Sequence, residues 1–262
     1  EAAISRGFDM VNDICGFADP EMPRVCEDYD VAVGKMASPP DLERPGAIED
    51  VDDIYDALFR NGLTDKTIVD PAFGGWSEEK TLDDDRETFR RLREFRAIGQ
   101  PILISINRKN FLRELAGRST EEALPVSLAA TSMAVERGAH VVRTHDVAET
   151  RDAALIGDEF ARGRARTDTV EELDVTTVRE AGRHVDDPET AVARLFALDL
   201  SRAARDVLAE AVGTADADLA FADTGERAII GGPVKSLSKI AGEIDDPPEL
   251  VRALKGVREA MR

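Results

Sequence analysis

The sequence is poor in the residues that redox and metal chemistry need. Among 262 residues there are two cysteines, Cys15 and Cys26, and neither belongs to a Cys-x-x-Cys pair. Three histidines complete the set of soft ligands, which argues against a zinc site and leaves reduced thiols as the default. No apolar run approaches the roughly 18–20 residues of a membrane-spanning helix. The first residues, EAAISRGFDM, lack the basic start and apolar stretch of a secretory signal. They also lack an initiator Met and read as the inside of a helix, so the chain is expected to begin partway into a longer protein. Lysine is scarce as well: Lys35, Lys66, Lys80, Lys109, Lys235, Lys239 and Lys255 are all there are. No internal repeat is present.

Acid is abundant. The formal net charge is −19 and the pI is near 4.6. Such a surface repels nucleic acid and anionic membranes. Acidic residues are dispersed, as in Glu78-Glu79, Asp83-Asp84-Asp85 and Asp245-Asp246. The pattern predicts the solvated acidic surface of a protein from high-salt cytoplasm, with an ordinary acidic protein as the alternative. A hydrophobic content of 42% still supplies a core for one large or two small domains.

Short runs rich in Val and Ile recur at Met10 to Ile14, Asp30 to Val33, Thr67 to Asp70, Pro101 to Ile106 and His140 to Arg143. Most are apolar on successive residues, which predicts strands buried on both faces. Helical patterns separate them at Ile48 to Asn61, Asp84 to Ala97 and Thr120 to Arg137, with a small helix near Glu21 to Glu27. Asn61-Gly62, Gly99 and Gly138 mark turns. This rhythm predicts βαβ units and a parallel sheet. Beyond about Gly163 the character changes. A polar, Thr-rich stretch leads to a helical pattern over Pro188 to Val212. A β-hairpin follows, from Leu219 to Asp223 and from Arg227 to Ile230, turning at Thr224-Gly225-Glu226. Helices are predicted over Pro233 to Ala241 and Pro248 to Met261, with Pro248 suited to a first helical turn. Residues 164–262 therefore read as a small α+β module attached to the α/β segment 1–163.

Polar groups gather where each apolar run ends: Asn12-Asp13, Lys35-Met36, Asp70-Pro71, Asn107-Arg108-Lys109 and Arg143-Thr144-His145-Asp146. In an α/β barrel the C-terminal ends of the strands face the active site. Arg143 and His145, two residues apart on a strand, would point the same way and grip an anionic group; a pairing of Arg143 with Asp146 is the structural alternative. Lys109 suits a heterocycle edge or a leaving anion, or is a solvated basic turn. Asp70 can accept two N–H bonds from an aminopyrimidine, with Phe73 and Trp76 as stacking surface, or it can cap its own loop. Asn12 offers a paired donor and acceptor, or forms a simple turn.

Taken together these residues resemble dihydropteroate synthase, a pterin-binding family, in order from about Ala2 to Phe160. Gly7 to Ile14 is similar to the fourth strand of that (β/α)8 TIM-type barrel, Val31 to Met36 to the fifth, Ile68 to Phe73 to the sixth and Pro101 to Lys109 to the seventh. Gly138 to Thr150, reading GAHVVRTHDVAET, is similar to the eighth and is the most specific match. The resemblance implies transfer of the methylene of 6-hydroxymethyl-7,8-dihydropterin diphosphate to 4-aminobenzoate, giving 7,8-dihydropteroate and diphosphate in folate biosynthesis. It implies Mg2+ with the diphosphate, no metal ligand in this chain, a cytoplasmic enzyme, and is compatible with a homodimer. Asn12, Asp70 and Lys109 would hold the pterin, and Met36 and Phe73 would wall its pocket. Arg143 and His145 would bind the departing diphosphate, while Asn107 and Arg108 would lie by the aminobenzoate. Departures are plain. The family has Ser at Asn107, Gly at Ser105 and His at Lys35, and its Gly-Phe-Gly-Lys-Thr loop is FGGWSEEKT here, ending at Lys80-Thr81. The family's first three strands, with a metal-side Asn, a Thr-Arg-Pro-Gly loop and a pterin Asp, have no counterpart in this chain, so it is expected to be inactive alone. Two other readings stay open: a pterin-dependent methyl transfer, and a non-catalytic pterin-binding relic.

Overall fold

Apolar runs and helices alternate through the first half of the chain, and the computed structural model resolves how they assemble. It describes residues 1–39, 41–42, 46–74, 80–163, 167, 170, 172–173, 175–221 and 227–261. Trp76, the pair Glu78-Glu79 and the hairpin turn Thr224-Gly225-Glu226 lie outside them. The chain divides into two compact units, Glu1–Glu172 and Leu173–Arg262.

The first unit is α/β. Its elements run β1 (Met10–Asp13), α1 (Glu21–Asp28), β2 (Ala32–Met36), α2 (Val51–Phe59), β3 (Thr67–Asp70), α3 (Leu82–Arg90), β4 (Leu103–Ile104), α4 (Asn110–Ala116), α5 (Leu124–Glu136), β5 (Val141–Val142) and α6 (Val147–Glu159). β1, β2 and β3 pair in parallel, a parallel bridge joins Val69 to Ile102, and β4 pairs in parallel with β5. The strands thus lie side by side in chain order, as sequential βαβ units require. Ile102, Leu103, Ile104 and Ile106 are all buried, which explains the unbroken apolar run. Ile54, Leu58, Leu92 and Phe95 of the helical layer close over them.

Several predicted boundaries move. Pro101 has no N–H to give, so the fourth strand starts later than expected, although the Pro101 carbonyl still accepts from Val69 N at 2.9 Å. The expected helix over Asp84 to Ala97 is two elements. α3 begins earlier, in a capping box of Thr81 and Asp84, and a 3-10 helix (Leu92–Ile98) follows and ends at Gly99 with φ +76°. α4 and α6 were not predicted. Asp85 was read as part of a solvated acidic run, yet its side chain is 3% exposed.

The second unit contains α7 (Val178–Ala181), α8 (Pro188–Ala191), β6 (Ala193–Asp199), α9 (Arg202–Val212), β7 (Asp218–Phe221), β8 (Arg227–Pro233), α10 (Val234–Glu243) and α11 (Pro248–Ala260). The single helix expected over Pro188 to Val212 is broken by β6. Ala, Arg and Leu favour a helix locally, but seven residues of antiparallel pairing with β8 override that preference. The alternation that betrays the strand is short: Phe196 and Leu198 face the core while Leu195 and Ala197 do not. The hairpin strands pair as expected, and β8 lies between β6 and β7. Leu208, Ile230, Leu237, Ile240, Leu250 and Leu254 form this unit's core.

Candidate active site at the strand ends

Parallel strands deliver their C-terminal ends to one side, and register sets which side chains meet there. Asn12 on β1 stands opposite Gly34, and Met36 on β2 opposite Asp70 on β3. A Cβ on Gly34 would lie 2.8 Å from Asn12 Oδ1, so only glycine leaves that carboxamide its place. Asn12 itself is exposed and Met36 is buried.

Asp70 is 3% exposed. Its Oδ1 accepts from Ala72 N at 2.8 Å, the loop-capping bond foreseen as an alternative role. No hydrogen bond to Oδ2 forms among the described residues. Burial pushes the Asp70 carboxyl upward, while Ala72 N–H and the charges of Arg143, Lys109 and Lys80 draw it back down. Lys109 mirrors this balance. Burial lowers its pKa, Asp85 and Asp70 raise it, and Arg143 and Lys80 lower it further. Its Nζ donates to Phe73 O at 2.5 Å.

Lys109, Arg143 and His145 share one cavity of about 430 Å3 with Ser105, Asn107 and Thr144. Arg143 and His145 are not neighbours along a strand, because β5 ends at Val142. Arg143 sits at the strand end, its N–H donating to Ile104 O at 2.8 Å, and His145 lies in the turn beyond. Both are nevertheless exposed toward the cavity they line. Arg143 Nε donates to Ser105 Oγ at 3.3 Å, and Arg143 forms no ion pair among the described residues. The alternative pairing with Asp146 does not occur.

Asp146 instead belongs to Arg108. The guanidinium grips it through Nε at 3.1 Å and Nη2 at 2.9 Å and donates through Nη1 to Thr120 O at 3.1 Å. Arg108 adopts φ +54°, a costly conformation for a side-chain-bearing residue, and Ser127 Oγ receives its N–H at 2.7 Å. Arg108 is therefore a brace between the turn after β4 and the turn after β5, and Asp146 is held below the usual carboxylate range by that pairing and by Asn107. Asn107 Nδ2 donates to Asp146 Oδ2 at 2.9 Å and to Thr144 Oγ1 at 3.0 Å. An ionised Asp146 can only accept, which fixes the amide orientation and leaves Asn107 Oδ1 buried without a partner.

Phe73 does not offer a stacking face. Its ring packs against Phe111 at 5.8 Å and Phe89 at 6.0 Å between centroids, inside the core. Burying that apolar area is worth more than exposing it at a polar mouth, and only the Phe73 backbone reaches the site. Lys35 is also drawn inward. Its Nζ donates to the carbonyls of Leu58 and Gly62 at 2.9 Å each and to that of Arg60, with Phe17's ring 4.6 Å away. Two residues that matter here, Lys80 and Asp85, were legible only as a loop end and an acidic run; together they form a buried ion pair at 3.3 Å. Among the described residues no group of three or more His, Cys, Asp or Glu converges to hold a metal.

Known proteins resemble this chain over its first unit. A Haloferax volcanii protein described as a probable bifunctional folylpolyglutamate synthase/dihydropteroate synthase is 34% identical over 160 residues, which is 56% of this chain and 19% of that one. Thermus thermophilus dihydropteroate synthase in complex with 6HMPPP superposes with a TM-score of 0.53 at 28% identity, covering 60% of this chain and 66% of that one. The same enzyme with 4-aminobenzoate gives 0.53 at 27%, covering 60% and 65%. The chain thus spans less than two thirds of each relative. Residues 1–145 match the pterin binding enzyme family, and the chain belongs to that family.

Proposed function

We propose that the protein is a transferase of the dihydropteroate synthase type, joining 4-aminobenzoate to 6-hydroxymethyl-7,8-dihydropterin diphosphate with release of diphosphate. The observation that carries this reading is the grouping of one buried acid, Asp70, with Lys109 and Arg143 at three successive strand ends. The relatives above are named synthases, which favours this reaction over methyl transfer. In this reading β1 to β5 are strands four to eight of a (β/α)8 barrel, Leu173–Arg262 is an added α+β module, and the enzyme is cytoplasmic, at home in high salt and compatible with a homodimer.

The chemistry asks for little covalent help. The pterin methylene–oxygen bond breaks, the arylamine nitrogen bonds to that carbon and loses a proton, and diphosphate departs. Asp70 Oδ2 and Asn12 accept from and donate to the pterin edge. Lys109 offers its ammonium to the ring. Arg143 and His145 take up charge as it develops on the leaving group, where stabilisation accelerates the reaction most. Magnesium would accompany the diphosphate and neutralise part of its charge; among the described residues no group of three or more His, Cys, Asp or Glu converges to hold it.

The direct test is dihydropteroate and diphosphate formation by the full gene product in molar salt. Product formation supports the reading; a protein that binds both substrates but forms none overturns it. A second prediction concerns Gly34. Gly34→Ala should displace Asn12 and weaken pterin binding about 10-fold, about 1.4 kcal/mol, with inorganic diphosphate binding unchanged. Equal affinity for the pterin in titration calorimetry would remove Asn12 from the site.

A further inference from the structure

The turn after β3 is held by charge to an unusual degree. Ala72 N donates to Asp70 Oδ1 at 2.8 Å, and Ala72 O accepts from Lys80 Nζ at 2.8 Å. Phe73 O accepts from Lys109 Nζ at 2.5 Å. Gly74 N donates to both oxygens of Asp85 at 3.0 Å. Four charged side chains thus secure three residues of backbone. Two of them, Asp70 and Lys109, face the proposed substrate. The other two, Lys80 and Asp85, pair with each other at 3.3 Å with side chains 1% and 3% exposed.

The backbone needs that restraint. Ala72 holds φ +62° and Gly74 φ +90°. A side-chain-bearing residue at positive φ persists only where its surroundings over-determine it. A buried ion pair is a poor source of net stability, since desolvation offsets most of the attraction. What it supplies is a fixed location. The room left for Lys109 is also tight, since a Cβ on Gly74 would lie 2.7 Å from Lys109 Nζ.

We propose that Lys80 and Asp85 are positioning residues of the pterin site: they hold the Ala72–Gly74 backbone so that the Phe73 carbonyl fixes the Lys109 ammonium beside Asp70. Neither touches the substrate. The proposal rests on the functional reading above. Sequence position hides the pair, because Lys80 closes a loop and Asp85 sits on the first turn of α3.

The test compares the full chain with Asp85→Asn, Lys80→Met and Lys80→Arg. Pterin binding is read by fluorescence quenching with 6-hydroxymethylpterin across pH, diphosphate binding by calorimetry with inorganic diphosphate, and folding by near-ultraviolet circular dichroism. Asp85→Asn keeps the shape and one acceptor for Gly74 N while deleting the charge, so it serves where Lys80→Met fails to fold. Pterin affinity should fall about 10-fold in Asp85→Asn and Lys80→Met, and stay within about 2-fold in Lys80→Arg. Inorganic diphosphate should bind all folded variants as it binds the parent. The alkaline limb of pterin binding should move to lower pH in Asp85→Asn, because Asp85 is the largest charge holding the Lys109 proton. Unchanged pterin affinity and an unmoved limb would overturn the proposal. Parallel loss of pterin and diphosphate binding would also overturn it, since that is what general destabilisation produces. If the parent binds no pterin, the functional reading itself fails, which is a separate result.

Discussion

Arg143→Ala is expected to lower dihydropteroate formation about 10²–10³-fold, the usual cost of removing one preorganised donor from developing negative charge. Arg143 stands at the end of β5 with a weak contact to Ser105 Oγ and no carboxylate partner among the described residues. Its charge is therefore available to an anion. The loss should fall on kcat, because charge on the leaving oxygen peaks in the transition state. Arg143→Lys should recover part of it, since a point charge replaces a planar fork. Lys109→Ala should cost a similar factor but act on pterin affinity as well, because the ammonium is anchored at Phe73 O. As pH rises, activity should decline earlier than for an ordinary lysine, since burial lowers the Lys109 pKa. Steady-state kinetics on both variants decides the assignment, and unchanged turnover in either removes that residue from it.

Lys35→Met is expected to destabilise the first unit by about 2–5 kcal/mol, comparable to a large core deletion although volume is nearly conserved. The cause is polar. Lys35 is wholly buried and serves three carbonyls, those of Leu58, Arg60 and Gly62, where the last turn of α2 runs out. Each abandoned acceptor costs about 1–3 kcal/mol, tempered by whatever water enters. The pH dependence carries a distinct signature. Burial lowers the Lys35 pKa from 10.5 to about 8, with Asp13 opposing the shift. Below pH 8 both folded and unfolded chains keep the proton, and the buried charge weighs against folding throughout. Between about 8 and 10.5 the unfolded chain holds a proton the folded one has released, so this contribution to stability rises with pH. Urea unfolding at pH 7, 9 and 10.5 should show that rise in the parent and lose it in Lys35→Met. Parallel profiles would refute it.

The order of β1, β2 and β3 was legible because unbroken apolar runs have few homes other than a sheet covered on both faces. Asp70, Lys109 and Arg143 were legible because they end such runs. What escaped reading was set at a distance. β6 is helical by composition and a strand by its partner, β8, some thirty residues on. Phe73 was placed at the mouth by chain position, but Phe89 and Phe111, on other helices, give its ring a better place inside. Arg108 and Asp146 meet across two turns, and nothing local announces that Asp146 will take Arg108 rather than Arg143. Asp85 follows an exposed acid, Asp83, and a half-buried one, Asp84, and nothing local distinguishes it as the one that turns inward to Lys80 and Gly74 N.

The order of strands in the second unit, β6-β8-β7, has a consequence for how that unit comes into being. β6 and β7 form no ladder with each other, and each depends on β8 for its hydrogen bonds. In chain order both flanking segments precede their common partner, so the apolar side chains of Phe196 and Leu219 gain their sheet only once residues 227–233 are available to insert between them. A chain that stops short of residue 227 therefore contains the sequences of β6 and β7 but neither of the ladders that make them strands.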